Sequence, residues 1–237
     1  LYFAMPIYKG LISKSEYIAA FNFNKVITKV MMVNTLNMPK KGFCVDWSRL
    51  IDNRLETFLQ TGILVLDEVF DQQDVLSLQK ESGFIDYKVA TLAHGERQQS
   101  IRGDRIRWID EDCPIGMDYL RSIMLLAKYF NQTLYAGIRR SEAHYACYPV
   151  GFGYQWHVDN PKGRDDRVIS AVFYLNDDWQ TTDGGEILVI DKTGKQQTLQ
   201  PKANRLVIFD SNLKHQVNIT YRYRFSIATW MRRDSHL

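Results

Sequence analysis

The feature that most narrows what this chain can fold into is a change of rhythm near Ser141. Beyond that point the sequence breaks into short apolar or alternating runs: His144 to Tyr148, Tyr154 to Asp159, Arg167 to Leu175, Gly185 to Ile190, Arg205 to Phe209, His215 to Ile219 and Tyr223 to Met231. Alternation over a few residues, enriched in branched and aromatic side chains, reads as half-buried strands. The punctuation between them is turn chemistry, at Asn160-Pro161-Lys162-Gly163, Asp183-Gly184-Gly185, Asp191-Lys192-Thr193-Gly194 and Asp210-Ser211-Asn212. Many short strands after a run of helices predict an α+β chain, with an antiparallel double sheet or barrel of jelly-roll type buttressed by the N-terminal helices.

Three helices are expected upstream. Asp46 suits an N-cap for a helix in which Trp47, Leu50, Ile51, Leu55, Phe58 and Leu59 recur at helical spacing until Gly62 ends it. Ile63-Leu64-Val65-Leu66 then reads as a buried strand. Asp71 is placed to cap a second helix running to about Lys80, and a third spans about Ile115 to Thr133, with Tyr119, Leu120, Ile123, Leu126, Ala127 and Phe130 on its apolar side. The polar connection from Ser82 to Ile109 is long enough to be a functional loop or a hairpin, and it carries His94, Gly95, Arg97 and Arg102-Gly103-Asp104-Arg105.

Residues 1–4 are expected to be an expression-tag remnant ahead of a native start at Met5, and residues 5–42 an appendage, helical in part, closed by a breaker cluster at Asn37–Gly42. Residues 43–237 are then one domain, with helical support over 43–140 and a jelly-roll core over 141–232.

Composition excludes several classes. Thirty basic residues against 27 acidic leave a formal charge of +3. That balance argues against nucleic acid or an anionic membrane as the main partner. No apolar run approaches the roughly 20 residues that a bilayer crossing needs. Three cysteines, Cys44, Cys113 and Cys147, lack metal-finger spacing and cannot all pair, which points to a reducing compartment such as the cytoplasm.

Two of the five histidines keep informative company. His157-Val158-Asp159 is a His-x-Asp pair at strand spacing, so both side chains leave one face. His215 opens a later strand. Two imidazoles and a carboxylate are the ligand set that holds Fe(II) while leaving coordination positions open. Taken alone, the tripeptide also fits a surface His and Asp at a strand end. Arg224 shares a strand face with Ser226, Ala228 and Trp230, and an inward-facing arginine needs an anion, either a ligand carboxylate or a structural Asp or Glu. Tyr174, on the strand Val168–Leu175, fits a donor to that anion or a core tyrosine. Tyr148 fits the same pocket or plain packing.

Taken together, Cys147-Tyr148-Pro149, Gly153-Tyr154-Gln155-Trp156-His157-Val158-Asp159-Asn160-Pro161, Tyr174-Leu175-Asn176, Asp183-Gly184-Gly185, His215 and Arg224 resemble the prolyl 4-hydroxylase branch of the 2-oxoglutarate and Fe(II)-dependent dioxygenases. The likeness is to the subgroup of hypoxia-inducible-factor prolyl hydroxylases and the bacterial enzymes that modify elongation factor Tu. Ile101 to Trp108 resembles that subgroup's substrate-side motif and Trp230 its active-site tryptophan. The resemblance covers about Thr91 to Arg232.

It implies a double-stranded β-helix and hydroxylation of a prolyl residue at C4 in a protein substrate, with elongation factor Tu as a candidate. Fe(II) would be the metal, 2-oxoglutarate and O2 the cosubstrates, ascorbate a supporting reductant, and succinate and CO2 the products. His157, Asp159 and His215 would bind iron. Arg224 and Tyr174 would hold the distal carboxylate of 2-oxoglutarate, with Tyr148 near its chelating end. Arg102, Asp104, Trp108 and Trp230 would be substrate-side residues, and the segment ending at Gly103-Asp104 a lid. The chain is expected to act as a monomer.

Two loops depart from the family pattern: the one between Tyr148 and His157 is shorter by one residue, and Asn160–Asp166 is longer by one and more charged. Such loops choose the substrate. Arg97, Arg102, Arg105, Arg107, Arg164 and Arg167 fit either a solvated basic rim or steering toward an acidic or phosphate-rich protein surface. His144 is expected to be a packing histidine kept away from the metal, and His94 and His236 carry no role. Alternatives that stay open are the same enzyme class acting on a free amino acid or another residue type, and a jelly-roll metal-binding module without turnover.

Overall fold

The computed structural model describes residues 42–90, 101–160 and 165–233. The remnant at 1–4, nearly all of the appendage at 5–42, and the positions of His94, Arg97, Arg164 and His236 lie outside the described residues.

Helix α1 (Trp47–Ile51) begins at Asp46, whose side chain accepts from the Arg49 amide. A 3-10 turn at Asp52–Arg54 separates it from α2 (Leu55–Thr61), so the single helix read from the sequence is two. The tighter turn re-aims the second helix: Phe58 is buried and Leu59 faces solvent. Gly62 ends α2 in the left-handed conformation at φ 73°. Strand β1 (Ile63–Leu66) comes next, then α3 (Gln72–Phe84), which outlasts its expected end at Lys80. Asp71 precedes α3 as anticipated, but its side chain makes no capping bond. Its carbonyl takes the amides of Asp74 and Val75 instead.

The connection to the long helix α4 (Pro114–Leu134) holds a short hairpin, β2 (Lys88–Val89) with β3 (Arg105–Trp108). Cys113 at the start of α4 offers no side-chain cap. Glu81, reaching across from α3, accepts from the amides of Ile115 and Gly116 and from the Tyr145 hydroxyl at 2.7–2.8 Å. A carboxylate there meets the open amides and the positive end of the helix dipole.

The strands are β4 (Arg140–Tyr148), β5 (Tyr154–His157), β6 (Arg167–Tyr174), β7 (Ile187–Ile190), β8 (Gln196–Leu199), β9 (Leu206–Asp210), β10 (His215–Val217) and β11 (Arg224–Arg232). They form two antiparallel sheets. The larger runs β1-β9-β6-β11-β4-β3-β2 and the smaller β5-β10-β7-β8. The expected jelly roll is therefore borne out, with α1 to α4 preceding the core strands. Strand β8, Gln196-Gln197-Thr198-Leu199, has no counterpart in the sequence reading: it is too polar to announce itself and owes its place to pairing with β7.

Alternation on the large sheet sorts side chains to its two faces. On β4, Tyr145 points toward α3 while His144, Ala146 and Tyr148 line the space between the sheets. Along β11, Arg224, Ser226, Ala228 and Trp230 line the same space, and Thr229 also bonds the Tyr119 hydroxyl of α4. Ile63, Tyr174, Ile187, Val189, Val207 and Phe209 fill one end between the sheets. The other end stays open as a cavity of about 540 Å³. Among the described residues no helix is long and apolar enough to cross a membrane.

Candidate metal and cosubstrate site

The small sheet carries the metal-ligand candidates. His157 ends β5 and His215 begins β10, and the two are direct partners in register. Asp159 lies just beyond β5, its amide donating to the Ser211 carbonyl at 3.2 Å. One nitrogen or oxygen from each of His157, Asp159 and His215 lies within 4.8 Å of the others. Nε2 of His215 is 3.8 Å from Oδ2 of Asp159.

Each imidazole is committed at Nδ1, His157 to the Gln155 carbonyl at 2.7 Å and His215 to the Leu213 carbonyl at 2.9 Å. A carbonyl only accepts, so Nδ1 carries a proton, and in the neutral ring Nε2 keeps its lone pair. Aromatic neighbours fix the rings: Tyr154 stacks on His157 at 3.6 Å and Phe209 meets His215 edge-on at 4.8 Å.

Burial and the neighbouring His215 push His157 down to about 3, which leaves it neutral as a ligand must be. For Asp159 burial opposes ionisation, but the facing imidazoles and a hydrogen bond from Ser170 at 2.5 Å outweigh it. Its carboxyl is held below the ordinary range. These donors suit a divalent ion of borderline softness, as Fe(II) is.

The large sheet supplies the anion end. Arg224 is 1% exposed, and its Nε donates to the Gly185 carbonyl at 2.9 Å and its Nη1 to Ser226 at 3.2 Å. Among the described residues no carboxylate pairs with it. The rings of Tyr148 and Tyr174 flank the guanidinium, each centroid 5.0 Å from its central carbon. The Tyr174 hydroxyl is buried and, among the described residues, has no hydrogen-bond partner. A buried cation and an orphaned phenol side by side fit a carboxylate ligand. Gly184 and Gly185, both at positive φ, bring the backbone this close: a Cβ on Gly184 would lie 2.3 Å from the Ile219 carbonyl and one on Gly185 3.1 Å from Arg224.

The remaining expected site residues line the same cavity. Arg102 and Asp104 form a two-pronged ion pair, at 2.7 and 3.0 Å, with Asp104 buried. Residues 91–100 of the expected lid lie outside the described residues, and its end is anchored. The Gly103 amide donates to the Gly153 carbonyl, and a Cβ on Gly103 would strike Phe152 at 2.6 Å, so this stretch is built into the wall. Trp108, His144 and Trp230 cluster, with ring centroids 5.1 to 6.1 Å apart.

His144 corrects an expectation. It stays outside the metal cluster, as anticipated, but it lines the cavity instead of serving as packing alone. Its Nδ1 meets the Tyr145 carbonyl at 3.2 Å, and among the described residues its Nε2 makes no hydrogen bond. Its even spacing from Tyr148 on one strand is the signal the sequence offers for this.

A double-stranded β-helix with a His-x-Asp…His triad at one sheet and a buried arginine on the other, without a carboxylate partner among the described residues, defines a 2-oxoglutarate-type metal oxygenase. Residues 143–232 match the family model described as 2OG-Fe(II) oxygenase superfamily. The chain is 35% identical to human "Prolyl hydroxylase EGLN3" over 186 residues, 74% of this chain and 76% of that protein. Among structures it resembles a Pseudomonas putida prolyl-4-hydroxylase, with TM-score 0.70 and 29% identity over 79% of this chain and 99% of that one. It also resembles a Trichoplax adhaerens prolyl hydroxylase in complex with a hypoxia inducible factor oxygen degradation domain peptide fragment, with TM-score 0.70 and 26% identity over 78% and 88%. The chain spans about half the length of the Egl nine homolog 1 proteins it also matches. It belongs to the prolyl hydroxylase family of the 2OG-Fe(II) oxygenases.

Proposed function

We propose that this protein is a dioxygenase that hydroxylates a prolyl residue at C4 in a protein substrate, using Fe(II), 2-oxoglutarate and O2. The observation that carries the reading is the shared cavity: three convergent ligand atoms on one side and, on the other, a buried arginine that no carboxylate pairs with among the described residues. When bound, the metal and cosubstrates supply the oxidation, in which 2-oxoglutarate loses CO2 to become succinate and one oxygen atom of O2 enters the substrate C–H bond.

The chain's own residues do the rest. His157 and His215 hold the metal through Nε2 and Asp159 through its carboxylate, a set that leaves one net positive charge to attract an anionic cosubstrate. Arg224 forks onto the distal carboxylate and Tyr174 donates its idle hydroxyl to the same group. Tyr148 walls the cavity toward the chelating end. Arg102, Asp104, Trp108 and Trp230 form the substrate side, where two indoles give an apolar surface suited to a pyrrolidine ring. Holding the reactants in one enclosed geometry is the protein's catalytic contribution.

A relative bound to a peptide supports a protein substrate, and elongation factor Tu is the candidate. The unpaired cysteines Cys44, Cys113 and Cys147 suit the cytoplasm, and ascorbate serves as a supporting reductant. The test incubates the full chain with Fe(II), 2-oxoglutarate and elongation factor Tu, then measures succinate and maps the protein by mass spectrometry. One oxygen gained on a proline is expected, and is lost in His157→Ala and Asp159→Ala. Turnover on free proline alone would move the assignment to an amino-acid hydroxylase. Iron uptake without consumption of 2-oxoglutarate would make it a binding module.

A further inference from the structure

Asp159 sits outside regular strand structure, so something must hold it. Its carboxylate has Ser170 and its amide has Ser211. Its carbonyl accepts from Nη1 of Arg167, on the far side of the loop, at 3.2 Å. Asn160 closes that loop at its base, with its Nδ2 donating to the Arg167 carbonyl at 2.6 Å and its Oδ1 accepting from the Arg167 amide at 3.1 Å.

The same guanidinium does two further things. Its central carbon lies 3.9 Å from the centroid of the Trp230 ring, and its Nη2 donates to Glu142 on β4 at 3.3 Å. Glu142 is held in turn by Arg232 at 2.7 Å, and Arg232 also pairs with Asp166. One flat cation thus touches the backbone of a metal-ligand candidate, an aromatic wall of the cavity and a carboxylate two strands away on its own sheet.

We propose that Arg167 is a positioning residue that sets metal affinity by fixing Asp159 and Trp230 together. The inference rests on the metal-site reading. Planarity is what the position demands: three contacts in different directions suit a fork that can also lie on a ring, whereas an ammonium is a point charge on a flexible stem. If Arg167 only balanced the charge of Glu142, lysine would do as well.

The experiment titrates Mn(II) into the full chain by calorimetry, comparing wild type with Arg167→Met and Arg167→Lys. Arg205→Met serves as control, because it breaks an ion pair with Asp67 away from the cavity. Groups that orient a ligand typically change metal affinity ten- to a hundredfold when removed. Arg167→Met is expected to weaken Mn(II) binding by about tenfold or more, Arg167→Lys to recover little of it, and Arg205→Met to bind as wild type.

Wild-type affinity in Arg167→Met would overturn the proposal, and so would full recovery in Arg167→Lys. Should Arg167→Met fail to fold, the lysine variant decides alone. A wild type that takes up no Mn(II) is a separate result, one that defeats the metal-site reading and this inference together.

Discussion

His157 and His215 stand directly opposite each other on neighbouring strands, their ring centroids 4.2 Å apart, each with Nδ1 tied to a backbone carbonyl two residues upstream. Strand pairing therefore sets both the separation of the two imidazoles and the nitrogen each one offers. The metal site inherits its geometry from the ladder, before any ion arrives.

In the packed core beside Arg224, Tyr174→Phe separates binding from folding. The hydroxyl it removes is buried and unpartnered, so the ligand-free protein is expected to keep its melting temperature or gain slightly. Affinity for 2-oxoglutarate should fall, because a hydrogen bond to a charged group contributes roughly 1.5–3 kcal/mol, about ten- to a hundredfold. Thermal shift with and without 2-oxoglutarate and Mn(II) reads both. Equal affinity in the two proteins would leave the phenol a core residue.

Arg224→Ala is expected to raise the 2-oxoglutarate requirement steeply. Titrating succinate formation against cosubstrate checks this. An unchanged apparent affinity would assign the buried cation to structure.

His144 gives a pH dependence with a definite sign. Burial pushes its imidazole down to about 4, with Asp104 opposing and Arg102 and Arg167 adding to the fall. Between its unfolded value of 6.5 and that lowered value, the unfolded chain binds a proton that the folded one refuses. Its contribution is therefore full above about 6.5 and is lost as pH drops toward 4. At about 1.4 kcal/mol per unit, the loss is on the order of 3 kcal/mol. Urea unfolding at pH 7 and 4.5 should show a larger decline in wild type than in His144→Phe, and parallel declines would refute the assignment.

Glu81→Ala leaves two amides of α4 and the Tyr145 hydroxyl without their acceptor. Loss of a helix cap costs about 1 kcal/mol and a stranded buried group about 1–3 kcal/mol, so a total of roughly 2–4 kcal/mol is expected. Chemical denaturation measures it. Glu81→Gln, which keeps an acceptor oxygen, should recover part.

Much of this is legible in the sequence because its signals are local. The strand alternation, the turn dipeptides and His157-Val158-Asp159 each declare themselves within a few residues. The hidden parts depend on partners far along the chain. Strand β8 has no apolar pattern and exists through β7. The break between α1 and α2 leaves apolar spacing nearly intact, yet turns Leu59 outward. The anchoring of the segment end at Gly103-Asp104 is hidden because nothing in the local sequence shows Gly103 seated on Phe152. His144 reads as packing because the cavity it borders is made by both sheets.

That division of labour has a thermodynamic consequence. Both candidate imidazole ligands belong to the four-stranded sheet, with Asp159 just beyond its edge, and the arginine proposed for the dianion belongs to the seven-stranded one. On the proposed assignment, a cosubstrate chelated at one end and gripped at the other would span the sandwich like a rivet. Anything that binds the folded form alone shifts the unfolding balance by mass action. Stripping the ion with a chelator should thus soften the whole β-core toward proteases, far beyond the few side chains that touched it.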